Sequence, residues 1–280
     1  EGWTGETDWG DVVAFDALPQ RAGKDVRRLV NANNPVTGLA YPYFLGVDWA
    51  PPYRAARIHT LLDEGRGRTI QDAAAMQRDL LSGMVHDLLP IMIGAKPNSV
   101  AGQRAIALLR KWDGVMASER AEPLIFNAWL LALNRALYGD ELGAQLGDYL
   151  GGRPMTVKSM LTQRHAWCDN VKTDRVETCE KILAQSLDIA VAALIERHGA
   201  KLDDWRWDEA HVAHFPHPVL THVPMFHKIA NLSVPTGGGN ATLNRGAMRL
   251  GAERNHFRHV HGPGYRAIYN LKNSRGSRFM

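Results

Sequence analysis

The sequence lacks a hydrophobic run long enough to cross a membrane, since no stretch of its 280 residues approaches 18 apolar positions. It also lacks a run of five or six lysines or arginines, and its net charge of +4 is small for its length. A membrane span and a nucleic-acid-binding surface are therefore not expected. No signal peptide is recognisable, the chain begins with Glu1 rather than Met, and it stops abruptly at "RFM". These ends predict a piece of a longer or processed protein.

Self-contained catalytic motifs are absent as well. There is no G-x-S-x-G, and neither cysteine lies beside an evident base. The glycine-rich segment 237–240, "GGGN", lacks the G-K-[ST] ending of a phosphate-binding loop, so a tight turn or a close backbone approach is expected there. Hydrophobic residues make up 45% of the chain, which excludes general disorder and is enough for a sizeable core.

Cysteine is nearly absent, and the two that occur, Cys168 and Cys179, are separated by ten residues. A disulfide between them would close a short polar loop and imply an oxidising compartment. Two reduced cysteines in a cytosolic protein are the alternative, and the residues alone do not decide between them. A zinc site is not expected, because neither cysteine has a second ligand at metal spacing.

The chain divides into three parts. Residues 1–52 carry short apolar runs between Gly, Pro, Trp and Asn, which predicts strand segments and turns. Residues 53–204 have helical periodicity, with a capping-box start at Thr69 and Asp72, and residues 205–280 return to short strand-like segments. This order predicts an α+β fold in which a large helical excursion interrupts the strands of one domain. Helices are expected within 69–92 and around 101–112, 123–138, 155–166 and 179–198.

Histidine is concentrated in one segment, "HVAHFPHPVLTHVPMFH", which could in principle hold a metal ion. The interleaved prolines, and spacings that match neither an H-E-x-x-H helix nor a zinc finger, favour structural histidines that hydrogen-bond to backbone carbonyls. The five histidines concerned are His211, His214, His217, His222 and His227.

Asparagine is the residue that stands out near the start, in "VNANNP". Asn is a poor strand and helix former, because its amide competes for neighbouring backbone groups. The segment therefore predicts either a turn or an amide held out to donate a hydrogen bond.

The order of several segments resembles the penicillin acylase (penicillin amidase) family of N-terminal nucleophile hydrolases. The similar segments are "DWGDVVAFDALPQ", "VNANNP", "YPYFLGVDWAPPYRAARI", "MQRDLLS", "LLRKWDG", "WCD…ETCEKIL", "WRWDEAHVAHFPHP", "PTGGGNATLN" and "HGPGYRAIYNL". Together they cover nearly the whole chain. The resemblance implies part of a four-layer αββα sandwich and an amide hydrolase made as a self-cleaving precursor.

The resemblance also implies roles for particular residues. In this family a new N-terminal serine attacks the acyl carbonyl, and its own α-amino group serves as the base. Asn33 matches the asparagine of the oxyanion hole, and Arg54 matches the arginine that positions it and keeps positive charge near the serine amine. Asn33 could instead be a turn residue, as expected of Asn31 and Asn34. Arg57, three positions from Arg54 on the same helix face, could exchange roles with it.

The same resemblance places the nucleophile outside this chain, so the chain alone is expected to be inactive and to need the remainder of the same precursor. It implies a periplasmic or secreted protein, which favours the Cys168–Cys179 disulfide. No cofactor is expected, although a structural calcium is possible in the full-length protein; Asp48 is the nearest acidic residue but is not assigned to it.

Three functions compete at this point. The first is hydrolysis of a small-molecule N-acyl amide, either a β-lactam antibiotic side chain or an acyl-homoserine lactone, through an acyl-serine intermediate. The second is a non-catalytic α+β binding or interaction module that uses the helical region as a docking platform. The third is a metal protein built on the histidines.

Overall fold

The computed structural model describes residues 2–6, 10–251 and 255–279, with the side chains of residues 227 and 228 left out. Part of the "DWG" motif, Asp8 and Trp9, lies outside the described residues. The fold combines helices with two small sheets, in agreement with the predicted α+β class. The helices are α1 Tyr53–Asp63, α2 Ile70–Gln77, α3 Gly83–Met92, α4 Val100–Leu109, α5 Glu122–Leu142, α6 Leu146–Tyr149, α7 Pro154–Thr162, α8 Cys179–His198, α9 Trp207–Ala210 and α10 His227–Ala230. The strands are β1 Val212–Phe215, β2 Leu232–Pro235, β3 Ala267–Ile268 and β4 Arg278–Phe279.

The strand segments expected in residues 1–52 are not formed in the part of that range that the structure describes. A single 3-10 turn, Phe15–Ala17, is its one regular element there. A strand needs a partner for its alternate N–H and C=O groups, and this segment has no such neighbour among the described residues. Its prolines lack a donor, and apolar side chains such as Val12 and Leu39 remain exposed. The segment therefore consists of bends and turns.

The hydrophobic core lies between α5 and α8, the two longest helices. Trp129 of α5 is fully buried, and its indole N–H donates to Leu183 O and Ser186 Oγ of α8, both at 3.1 Å. Trp112 is buried as well, so both tryptophans are core residues. The hydrogen bonds satisfy the indole polar atom, which burial would otherwise penalise.

The helical stretch 69–92 forms two helices, α2 and α3. The capping box at its start is confirmed: Thr69 Oγ1 accepts from Asp72 N at 3.0 Å, and an Asp72 carboxylate oxygen accepts from Thr69 N at 3.1 Å. The break falls at 78–82, where Leu81 forms an antiparallel bridge with Val115. This pairing ends α2, and Ser82 caps the N-terminus of α3.

Residues 205–280 contain the four short strands of the described chain. Strands β1 and β2 are antiparallel, with Val212 opposite Pro235, and β3 and β4 pair with Ala267 opposite Phe279. Between the two sheets, the 237–240 segment makes a close backbone approach. Gly238 has φ +85°, and a Cβ atom there would lie 2.3 Å from the Asn244 carbonyl oxygen. Glycine is required at this position for packing, and the phosphate-loop interpretation is not needed.

Cys168 and Cys179 form a disulfide at the N-terminus of α8. It joins the 3-10 turn at His165–Cys168 to α8, while Asp169 and Glu177 bind backbone N–H groups within the enclosed loop. No helix among the described residues has the length and apolarity that a membrane crossing requires.

Removal of this disulfide should destabilise the protein by about 2–3 kcal/mol. A disulfide that closes a loop of this length lowers the entropy of the unfolded chain, and this raises the free energy of unfolding by about that amount. The Cys168→Ala/Cys179→Ala double variant of the full-length protein tests this in urea unfolding. As a control, the parent protein treated with reductant should fall to the stability of the variant, while reductant should leave the variant itself unchanged. Equal stability of parent and variant without reductant would contradict the prediction.

Candidate active site

Asn33 lies at the centre of a tight turn with a left-handed backbone, φ +65°. Asn31 Oδ1 accepts from Asn33 N at 2.9 Å, and Asn34 Oδ1 accepts from Ala32 N at 3.0 Å. Ala50 N donates to Asn33 O at 2.8 Å, which joins the turn to the segment that leads into α1. The flanking asparagines thus shape the loop, as predicted of them, and leave the Asn33 side chain free for another contact.

Arg54, in the first turn of α1, makes that contact. Its guanidinium donates to Asn33 Oδ1 at 2.8 Å and to Ala32 O at 2.8 Å. A guanidinium only donates, so the Asn33 amide must present its oxygen to Arg54 and its Nδ2 group elsewhere. Within the described residues Nδ2 donates no hydrogen bond. The amide is therefore oriented by Arg54 and still has two N–H groups available.

Arg57 is engaged elsewhere. Its Nε and terminal nitrogen bind the two Asp79 oxygens at 3.1 and 2.6 Å, in the bidentate geometry typical of arginine and carboxylate. Asp79 lies in the break between α2 and α3. The two arginines on one helix face, which the sequence does not separate, thus have different partners: Arg54 contacts Asn33, and Arg57 fixes α1 to the 78–82 segment.

Asn33 and Arg54 line a cleft of about 710 Å³, called here the Asn33 cleft. Its other walls are mainly apolar and aromatic, and include Ile58, Met76 and Tyr265. One wall is fixed by Arg266, which donates to Gln77 O at 3.0 Å and thereby joins the β3 segment to α2. The Asn33 cleft thus combines an apolar lining with an oriented amide and a cation, the composition expected of a small-molecule site.

The surroundings of Arg54 disfavour its charged form. Partial burial, and then the positive charge of Arg245, lower the pKa of Arg54 from its usual value. The partners of the Arg54 guanidinium are neutral oxygens and no carboxylate. Its positive charge is therefore available to a negative or electron-rich group that enters the site.

Three histidines of the 211–227 segment, His211, His214 and His217, have hydrogen-bond partners within the protein. His211 is fully buried with Nδ1 2.6 Å from Phe257 O, the backbone-carbonyl contact expected. His214 Nδ1 lies 2.7 Å from Ser233 Oγ, and His217 Nδ1 accepts from Val219 N and Leu220 N. The side chain of His227 lies outside the described residues. Across the part of the chain that the structure describes, no group of three or more His, Cys, Asp or Glu residues is placed to hold a metal ion.

Two features of the site were missed by the sequence analysis. Asp79, within the quoted "MQRDLLS" segment, is the residue that distinguishes Arg57 from Arg54. Arg245, which acts electrostatically on Arg54, lies 191 positions further along the chain in a loop. No periodicity or spacing links the two arginines, so folding alone brings them together.

An oriented amide, a cation beside it and an apolar cleft form a site that could stabilise negative charge on a small molecule. In comparison with known families, the family model described as Penicillin amidase matches residues 1–280. The chain therefore belongs to the penicillin amidase family.

The similar curated proteins bear acylase names. The chain is 28% identical to "Penicillin acylase 2 proenzyme" of Pseudomonas sp. (strain SE83), over 86% of this chain and 31% of that protein. It is 24% identical to "Acyl-homoserine lactone acylase QuiP" of Pseudomonas syringae pv. syringae, over 89% of this chain and 33% of the relative, and 25% identical to the Pseudomonas putida protein of the same name, over 86% and 32%. The chain thus spans about a third of the length of these relatives.

Proposed function

We propose that this chain is part of an amide hydrolase of the penicillin acylase type, which cleaves an N-acyl amide through an acyl-serine intermediate. The nucleophilic serine belongs to the remainder of the same precursor, and the complete domain is the four-layer αββα sandwich of N-terminal nucleophile hydrolases. In this proposal Asn33 donates to the oxyanion, and Arg54 orients Asn33. The chain by itself is inactive.

The contact between Arg54 and Asn33 is the observation that carries the proposal. An oxyanion hole needs neutral donors that are fixed before the reaction begins, so that no reorganisation accompanies charge development. Arg54 fixes the Asn33 amide by its oxygen, the left-handed turn holds its backbone, and Nδ2 remains as the donor. The adjacent guanidinium also favours the neutral, basic form of a serine α-amino group placed nearby.

The substrate class rests on the names of the relatives, which act on penicillins and on acyl-homoserine lactones. Both are N-acyl amides, and the apolar walls of the Asn33 cleft suit an acyl group. The disulfide supports a periplasmic or secreted location, since such bonds persist in oxidising compartments. The alternative is a non-catalytic binding module, which would need no oriented, unpaired amide in a cleft.

Turnover by the full-length protein separates these two functions. The protein is incubated with a penicillin and with an N-acyl-homoserine lactone, and release of the free amine is measured. A denatured sample of the mixture is examined by mass spectrometry for an acylated serine. We expect amine release and the acyl adduct with at least one substrate. Binding without release of amine from either would favour the binding module.

Substitution of Arg54 tests its positioning role. Arg54→Met should lower kcat/KM by about ten- to a hundredfold, since the Asn33 amide loses the charged donor that orients it. It should also move the acidic limb of the pH–rate profile to higher pH, because the serine amine loses a neighbouring positive charge. Arg54→Lys should recover part of the rate and most of the pH profile.

The matched control for Arg54 is Arg57→Lys, which retains a cation beside Asp79 on the same helix face. It should change kcat/KM by less than a few-fold and leave the pH profile in place. If Arg57→Lys and Arg54→Met were equally impaired, or if Arg54→Met kept the parental profile, Arg54 would have no special relation to the reaction.

A further inference from the structure

A second cavity, of about 390 Å³, adjoins the Asn33 cleft, and Arg54 lines both. We call it the arginine cavity, because four arginines converge on it from separate parts of the chain. Arg54 comes from α1, Arg153 precedes α7, and the loop before residue 251 supplies the other two, Arg245 and Arg249. His261 adds a further basic side chain to the lining.

Among the described residues, no acidic side chain pairs with the arginines of the arginine cavity. No carboxylate occurs among its lining residues, and within the described ranges none of the four arginines forms an ion pair. Arg153 lies over the Tyr149 ring, 4.9 Å from its centroid, and Arg54 binds neutral oxygens. Arg245 Nε is buried with no hydrogen-bond partner.

Several other arginines of the chain pair with acids. Arg57, Arg120 and Arg206 each bind a carboxylate within 2.8 Å. A cluster of like charges with a buried, unpartnered N–H destabilises the fold unless an anion occupies it. Burial, and secondly the positive charge of Arg245, lower the pKa of Arg54, so repulsion within the cluster is the smaller part of that shift. An incoming carboxylate would relieve this repulsion through charge-assisted hydrogen bonds.

We propose that the arginine cavity binds a carboxylate carried by the substrate, with Arg245 and Arg249 as specificity-determining residues. The inference rests on the proposed hydrolase function and narrows its substrate class to N-acyl amides with a free carboxylate. The position of Arg54 between the two spaces supports it. The amide to be cleaved lies at Asn33, the apolar part of the substrate occupies the Asn33 cleft, and the anionic part reaches the arginine cavity.

The test uses three probes that share a short acyl amide. N-hexanoyl-homoserine lactone is neutral, its ring-opened form N-hexanoyl-homoserine carries a carboxylate on the amine half, and N-glutaryl-homoserine lactone carries one at the acyl end. Binding is measured by calorimetry in the full-length protein with the Asn33→Gly substitution, which we expect to slow turnover. We expect at least one anionic probe to bind about tenfold or more tighter than the neutral one. Added salt should weaken this preference.

The variants Arg245→Met and Arg249→Met should each reduce the preference, and the double variant should abolish it. Arg110→Met is the matched control, because Arg110 is an exposed arginine at the C-terminal end of α4 that lines neither space. It should retain the preference. The anionic probe that binds tighter identifies which half of the substrate carries the carboxylate.

Three results would overturn the inference: equal binding of all three probes, a preference that survives the double variant, or an equal loss for neutral and anionic probes in Arg245→Met. The last would mean that Arg245 pairs with another part of the protein. Turnover by the parent protein is followed in parallel. If the parent protein hydrolyses a substrate but Arg245 does not affect the preference for an anionic probe, only the present inference is wrong. If the preference is found but no substrate is hydrolysed, only the proposed function is wrong.

Discussion

The Asn33→Ala variant of the full-length protein is expected to hydrolyse its N-acyl amide about 10²–10³-fold more slowly than the parent, with the loss mainly in kcat. The Asn33 amide is held by Arg54 through its oxygen, so its Nδ2 group meets negative charge that exists only once the carbonyl has been attacked. An interaction made only in the transition state affects kcat rather than KM. Initial rates over a range of substrate concentrations measure the two constants.

A loss of rate in Asn33→Ala has a second possible cause, which a glycine variant removes. Asn33 has φ +65°, where alanine is strained by roughly 1 kcal/mol and glycine is not. If the missing amide is responsible, Asn33→Gly should be as slow as Asn33→Ala. If strain in the turn is responsible, glycine should restore the rate.

The matched control at this turn is Asn34→Ala. Asn34 bonds Ala32 N and Pro35 O, and it does not line the Asn33 cleft. It should therefore affect stability by about 1 kcal/mol and kcat by only a few-fold. A kcat near the parental value in both Asn33 variants would show that Asn33 takes no part in the reaction, and a large loss in Asn34→Ala would transfer the role to that residue.

The parts of this molecule that local chemistry determines could be predicted from the sequence. The capping box at Thr69 and Asp72 depends on residues three apart, and the roles of Asn31 and Asn34 in the turn depend on neighbours two apart. Pairing of Cys168 with Cys179 was favoured by the family resemblance, while composition alone left it undecided.

The parts that depend on distant contacts could not be predicted in this way. Helical periodicity continues through 78–82, but Leu81 bridges Val115 and Asp79 binds Arg57, and these contacts break the helix. The short apolar runs of residues 1–52 resemble strands, yet a strand forms only where another strand is available to pair with it. In both places tertiary partners decided the structure and local propensity did not.

The arginine cavity illustrates the same limit at the candidate site. Arg54 could be proposed from its motif, but Arg245 and Arg153 approach it from positions that no motif connects. The family resemblance therefore identified Asn33 and Arg54, whereas the charged residues around them could be identified only from the fold. Whether Asn33 acts as the oxyanion donor stays a prediction, which the two variants at that position test.

A buried histidine should make the protein sensitive to acid. His211 is stacked between Trp207, with ring centroids 4.5 Å apart, and His259, with ring centroids 5.2 Å apart. Its Nδ1–H donates to Phe257 O, while Nε2 is buried without a partner, close to the backbone of Gly246. A proton on Nε2 would have no acceptor. Burial accordingly lowers the pKa of His211 to about 4, against the opposing effect of the Phe257 carbonyl.

The direction of the pH effect follows from where the proton binds. Between about pH 6.5 and pH 4 the unfolded chain takes up a proton at this histidine and the folded chain does not, so acid favours the unfolded state. The contribution of His211 to stability is fully present above about pH 6.5. It falls by about 3 kcal/mol as the pH decreases to 4, since each unit of pKa difference corresponds to about 1.4 kcal/mol. The free energy of unfolding in urea, measured at several pH values, gives the slope.

His211→Asn isolates this contribution, because an amide N–H can still donate to Phe257 O but does not titrate in this range. Loss of the ring stacking should lower the free energy of unfolding of the variant by an amount that does not depend on pH. Between pH 6.5 and 4, however, the variant should lose about 3 kcal/mol less than the parent, so the two stability curves approach each other in acid. Parallel curves over this range would mean that His211 is protonated in the folded state as readily as in the unfolded one, and that the packing around its Nε2 is looser than the structure shows.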